Sequence, residues 1–289
     1  QNVGLHLNGT DMAKDFAQME HSNRSANPSI HQVSDPAKRQ TLQAAAWLGL
    51  FAGLSPLNGQ AASSKMGFKA MPPGMGDFIE LPADYEAKVL APWGEPVGIE
   101  GHMPAYRPDA TNTAEDQAVQ LGMHHDGLVF YPLSGSSTHG LLAINHEYID
   151  EGLLFPDGFE PMTATKVKKA QNAHGISVIE VKLGSKGWEM VRPSRYARRI
   201  TANTPFAVGG PAAGHALMRT AADPEGKRVL GTLNNCASSM TPWGTYLSGE
   251  ENWANYFSAG QQASAHHKRW GLRAKSHSQW EAHDPRFNA

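Results

Sequence analysis

"GLLAINHE" (residues 140–147) and "GTYLSGEE" (residues 244–251) are the stretches on which the fold turns. Each opens on glycine, runs through apolar or aromatic residues, and reaches glutamate seven positions later. An extended chain alternates its side chains between two faces, so Glu147 shares a face with Leu141, Ala143 and Asn145. By the same count Glu251 shares a face with Thr245 and Leu247. If these are corresponding strands of neighbouring units, both carboxylates lie at one height in the fold. A radial array of four-stranded sheets, a β-propeller, gathers such residues at its central channel. The competing explanation is chance recurrence in a Gly-rich β protein.

The surrounding sequence reads as mainly β, hence an all-β fold. "GLVFYPL" (127–133) and "GLLAINHEYID" (140–150) are two strands joined by the polar turn "SGSSTHG". "HGISVIEVKL" (174–183) alternates, then "GSKG" turns the chain into "WEMV", a hairpin. "KRVLGTLNN" and "GTYLSGEEN" suggest another strand pair, and a short strand is expected over Tyr85–Leu90. Helical periodicity is confined to "TATKVKKAQ" (163–171) and "GHALMRT" (214–220). The composition agrees: 29 Gly, 19 Pro and 14 His with only 18% charged residues suit short strands and tight turns. A net charge of -2 gives no reason to expect nucleic acid as partner.

The N-terminal residues read differently. Residues 1–36 are polar and aperiodic, a disordered extension. Residues 37–62 carry Lys38 and Arg39, an apolar run from Ala44 to Leu54, and small residues near Ala61 and Ala62. The run is too short to span a bilayer comfortably, so no lasting membrane insertion is expected. It looks like a twin-arginine export signal, with Lys38 in place of the first arginine; an amphipathic surface helix is the alternative. Export predicts a periplasmic or secreted protein that engages the twin-arginine machinery, with residues 63–289 as its folded part.

Export makes the single cysteine pointed. Cys236 excludes an intrachain disulfide and any CxxC zinc site. A free thiol in an oxidising compartment is either buried or held by a metal. Polar residues flank it in "NNCASS", where a loop after a strand is expected, and this argues against the oily interior. Glu250, Glu251, Glu147 and Asp126 are hard oxygen donors, and a thiolate among carboxylates suits iron better than zinc. Because neighbours on a strand face opposite ways, Glu250 and Glu251 serve two ions, or one ion and a structural partner. Taken plainly, the pair is a solvated strand end, and Asp126 in "HHDG" an Asx turn. Other chemistries lack their motifs. "INHEYID" has no second histidine for HExxH, "GGPAAGHA" lacks the P-loop lysine, and no GxSxG occurs. The basic "RPSRYARR" (192–199) could orient an anion, or be an exposed loop.

In order, "GLLAINHEY", "AHGISVIEV", "GPAAGHALMRT" and "GTLNNCASSMTPWGTYLSGEENW" resemble the PhoX-type secreted alkaline phosphatases, from about Asp77 onward. The resemblance implies a β-propeller with a central iron and calcium site that hydrolyses phosphate monoesters. It implies Cys236 as the iron-binding thiolate and Glu250, Glu251, Glu147 and Asp126 as metal-ligating carboxylates. Asn145, His146 and His174 are further candidates for the same site, and Cys236 with Glu251 would carry the chemistry. Bound ions of this kind hold phosphate oxygens and offset the charge of the transition state. The family continues past "HDPRFNA", so a partial set of blades is expected here. A calcium-dependent propeller lactonase and a non-catalytic exported calcium-binding propeller are the alternatives.

Overall fold

The structure, a computed structural model, describes residues 71–82 and 85–289. The expected N-terminal extension and export segment lie outside the described residues. Residues 71–82 carry no helix or strand, and the helices and strands all belong to the unit Tyr85–Ala289.

This unit is mostly β, with antiparallel sheets. Strands β1 (His125–Pro132), β2 (His139–His146), β3 (Gly175–Gly184) and β4 (Gly187–Met190) follow one another as a meander. A fifth strand, β5 (Arg198–Ile200), takes the half of the β3 edge that β4 leaves open: β4 pairs Val181–Gly184, β5 pairs Ile176–Val178. Two hairpin-like pairs complete the set: β6 (Thr204–Ala207) with β7 (Arg228–Gly231), and β8 (Asn235–Met240) with β9 (Tyr246–Glu250). The alternation in β3 sends Ser177, Ile179 and Val181 inward, while Leu183 at its far end is 41% exposed. Ile176 is buried as well, because the first half of the strand is covered on both faces.

Three expectations are corrected. Tyr85–Leu90 forms no strand. "GTYLSGEEN" pairs not with "KRVLGTLNN" but with "NCASSM", so Cys236 lies inside β8 rather than in a loop after a strand. The cause is local: Asn234 takes a left-handed φ of 49°, which breaks the chain between β7 and β8 and turns the next strand onto a new course. "GHALMRT" is a single 3₁₀ turn, Ala216–Met218, instead of a helix.

Helix α1 (Ala114–Gln117) is closed by a capping box of Thr113 and Asp116, and α2 (Glu151–Leu154) by the Asp150 side chain. The expected helix near 163–171 is α3 (Ala164–Ala173), whose N-cap Thr163 accepts from the Lys166 amide. A short α4 (Ala265–Arg269) comes late in the chain. One core gathers Leu154, Phe155, Val167, Tyr256, Trp280 and Phe287; a second lies against the sheet, from Val97, Leu121, Ile144, Ile179 and Val181. Each such side chain contributes about 1.5–3 kcal/mol of burial. Lys169 is buried too, its ammonium donating to the carbonyls of Ala110 (2.7 Å) and Leu154 (2.8 Å).

Candidate metal centre

The hairpins β1–β2 and β8–β9 are built to one plan. In each, a residue of left-handed φ precedes the first strand: His124 (46°) and Asn234 (49°). Strand pairing then opens with His125 against His146 and Asn235 against Glu250, and both ladders slip by a bulge, between His125 and Leu128 and between Asn235 and Ser238. Each second strand is followed by a glutamate whose amide donates back to the left-handed residue's carbonyl: Glu147 to His124 at 3.0 Å, Glu251 to Asn234 at 2.9 Å. Asp126 therefore corresponds to Cys236, and Glu147 to Glu251. Two hairpins offer two pairs of donors.

The pairs meet. One ligand atom each from Asp126, Glu147 and Cys236 lies within 4.8 Å of the others, all three side chains half-buried. Glu251 lies close enough to act on the Cys236 thiol, more strongly than any other group. The Glu251 carboxylate first, then that of Asp126, with partial desolvation, push the thiol up to about 12. Burial, then the charge of Asp126, a hydrogen bond to it, and the charge of Glu251 also raise Glu147. Among the described residues no lysine or arginine pairs with these carboxylates. A close cluster of acidic donors, with no protein cation between them, fits a metal ion. The donor set of one sulfur and three carboxylates suits a transition metal together with a harder cation.

The remaining candidates point elsewhere. The Glu250 carboxylate accepts from the Thr232 hydroxyl (2.5 Å) and the Leu233 amide (2.9 Å), tying β9 to the chain entering β8. Asn145, fully buried, donates to the Cys236 carbonyl at 2.7 Å and accepts from Tyr246 and Ser248. His146 is buried, its Nε2 2.6 Å from the Ser177 hydroxyl, its Nδ1 without a partner among the described residues. Burial, then the Arg199 charge, holds it well below the usual imidazole range. His174 donates from Nδ1 to the Ala170 carbonyl (2.7 Å) and accepts at Nε2 from Tyr256 (2.9 Å). Desolvation holds it at about 4, and Trp280 and Tyr256 meet it edge-on, so it lies in the core.

Sequence reasoning passed over Gly127 and Asn234. A Cβ at Gly127 would lie 2.4 Å from the Ser238 hydroxyl and 2.7 Å from the Cys236 carbonyl, so only glycine lets β1 approach β8. The signal was the glycine beside Asp126. Asn234 had a signal as well, since asparagine tolerates left-handed φ better than most residues.

Comparison with known proteins bears on this geometry. The family model for Alkaline phosphatase PhoX matches residues 66–289, which include every donor of the cluster. Among solved structures, Pseudomonas fluorescens PhoX in complex with vanadate, a transition state analogue, is similar at 44% identity and a TM-score of 0.72. That match covers 77% of this chain and 39% of the Pseudomonas chain. No curated protein sequence matches. With Asp126, Glu147, Cys236 and Glu251 all inside the matched region, the chain belongs to the PhoX alkaline phosphatase family.

Proposed function

We propose that the protein is an exported, metal-dependent phosphatase that releases inorganic phosphate from small phosphomonoesters. The observation that carries this is the convergence of Asp126 and Glu147 from one hairpin with Cys236 and Glu251 from the other. Family membership supports the same reading, as does the vanadate complex of the similar Pseudomonas protein. The thiol favours iron beside calcium, and sets the reading apart from a calcium-only lactonase or a structural calcium site. When bound, such ions supply charge to offset that of the transferring phosphoryl group. Cys236 would give up its thiol proton on taking up such an ion, as a thiolate ligand must, and each hairpin would offer that site two donors. The four-stranded meander β1–β4 and the repeated hairpin plan support a propeller in which these donors line the channel. A periplasmic or secreted location, reached through the twin-arginine machinery, rests on the residues 37–62 pattern.

Elemental analysis of the purified protein, run beside a p-nitrophenyl phosphate assay, tests the proposal. Cys236→Ala should abolish both iron retention and turnover. Iron at the unsubstituted level with near-normal turnover in that variant would sink it.

A further inference from the structure

We propose that Asn145 and Asn234 act as a reciprocal clamp: each hairpin extends one amide onto the donor-bearing backbone of the other. The inference rests on the metal-centre reading for its purpose, but its geometry is independent of any ion. From β2, the Asn145 Nδ2 donates to the carbonyls of Cys236 (2.7 Å) and Ala237 (3.3 Å). From the start of β8, the Asn234 Nδ2 donates to the Glu147 carbonyl (3.3 Å) and to the Tyr256 hydroxyl (3.0 Å). The Asn234 carbonyl meanwhile holds the Glu251 amide. So Asn145 touches the Cys236 backbone, while Asn234 touches the backbones of both glutamates.

A primary amide has two N–H donors and two acceptor lone pairs. Asn145 uses all four, since its Oδ1 accepts from the Tyr246 hydroxyl (2.8 Å) and the Ser248 hydroxyl (3.0 Å). No lone pair is left for a cation, and the residue is 0% exposed. Asn145 is thereby a positioning residue and not a ligand. Asn234 differs in one respect: its Oδ1 is buried without a partner among the described residues, so the donor half alone acts. Its own anchor is firm, because Tyr256 passes the contact on to His174 and then to the Ala170 carbonyl of α3. Together the two amides fix the offset between the hairpins, and with it the separation of Asp126 and Glu147 from Cys236 and Glu251.

Alkylation of Cys236 by iodoacetamide in the metal-free chain reads that offset directly, since no other thiol exists. Asn145→Ser removes one amide; Asn234→Gly removes the other while keeping the left-handed backbone. Either should speed alkylation several-fold, because hairpins released from their offset open the half-buried Cys236 sulfur to the reagent. Asn172→Ala is the control for general destabilisation, an equally buried amide bonded to the Ala114 carbonyl. It should leave the rate unchanged. Rates unchanged in both clamp variants at matched melting temperature would overturn the clamp, and Asn234→Gly decides alone if Asn145→Ser does not fold. Asn145→Asp separates clamp from ligand in the cation-loaded chain. A clamp predicts loss of the cation, because a carboxylate oxygen would then face the Cys236 carbonyl; retention of the wild-type metal content would overturn the assignment. Should the unsubstituted chain hold no iron or calcium, the metal reading fails while the alkylation rates still judge the clamp.

Discussion

A thiol set beside two carboxylates is a residue under electrostatic load, and Cys236 shows the consequence most clearly. Its pKa is raised in the folded chain, from 9.0 to about 12, first by the Glu251 carboxylate. The folded state therefore keeps a proton that the unfolded state gives up between those values. Stability from this source is complete below pH 9 and lost as pH rises toward 12 in the metal-free protein. Melting temperature followed across that window should fall more steeply for the unsubstituted chain than for Cys236→Ser. Equal slopes would show that the thiol is not coupled to its neighbours. Glu250, by contrast, works through the Thr232 hydroxyl and the Leu233 amide. Thr232→Val should cost about 2 kcal/mol in urea unfolding, since it removes both the bond to the Glu250 carboxylate and the one the hydroxyl accepts from the Asn235 amide (3.0 Å), with cation retention kept.

Between elements, the decisive contact is the close approach of β1 to β8 at Gly127. Gly127→Ala should destabilise by about 1–3 kcal/mol, the usual cost of overpacking, and lower metal content with it. An unchanged unfolding midpoint would mean that the hairpins can slide apart freely. This level also shows what the sequence made legible. The second strands betrayed their kinship, because "GLLAINHE" and "GTYLSGEE" keep glycine and glutamate at fixed spacing. The first strands share no residues: "HHDG" and "NNCA" are alike only in backbone, through left-handed φ at His124 and Asn234 and a bulge after each start. Backbone conformation leaves a weak trace in residue identity, which is why the sequence pattern misplaces the partner of "GTYLSGEEN" and puts Cys236 in a loop. The buried fates of His174 and Asn145 were equally hidden, because they depend on partners 82 and 91 residues away.

At the level of the whole unit Tyr85–Ala289, the order of motifs was legible, and the resemblance it carried named Asp126, Glu147, Cys236 and Glu251 among the ligands of one site; the hairpin geometry that brings them together was not. The motif order carried the family resemblance; bringing Asp126 to Cys236 requires the fold itself. Binding of a cation to the folded chain alone stabilises it by mass action, about 2.7 kcal/mol at a hundredfold excess over Kd. Chelation should accordingly lower the melting temperature, and iron with calcium should restore it; a melting temperature indifferent to chelator would place no resident ion in the folded protein. Among the described residues, no helix is long and apolar enough to cross a membrane. The bends of the two hairpins, at residues 133–138 and 241–245, lie at the opposite ends of their strands from the donors. Of the two, the first bend exposes Ser134 and Gly135, so a peptide tag inserted between them should give a surface handle for immobilising or labelling the protein at the far end of its strands from the donors.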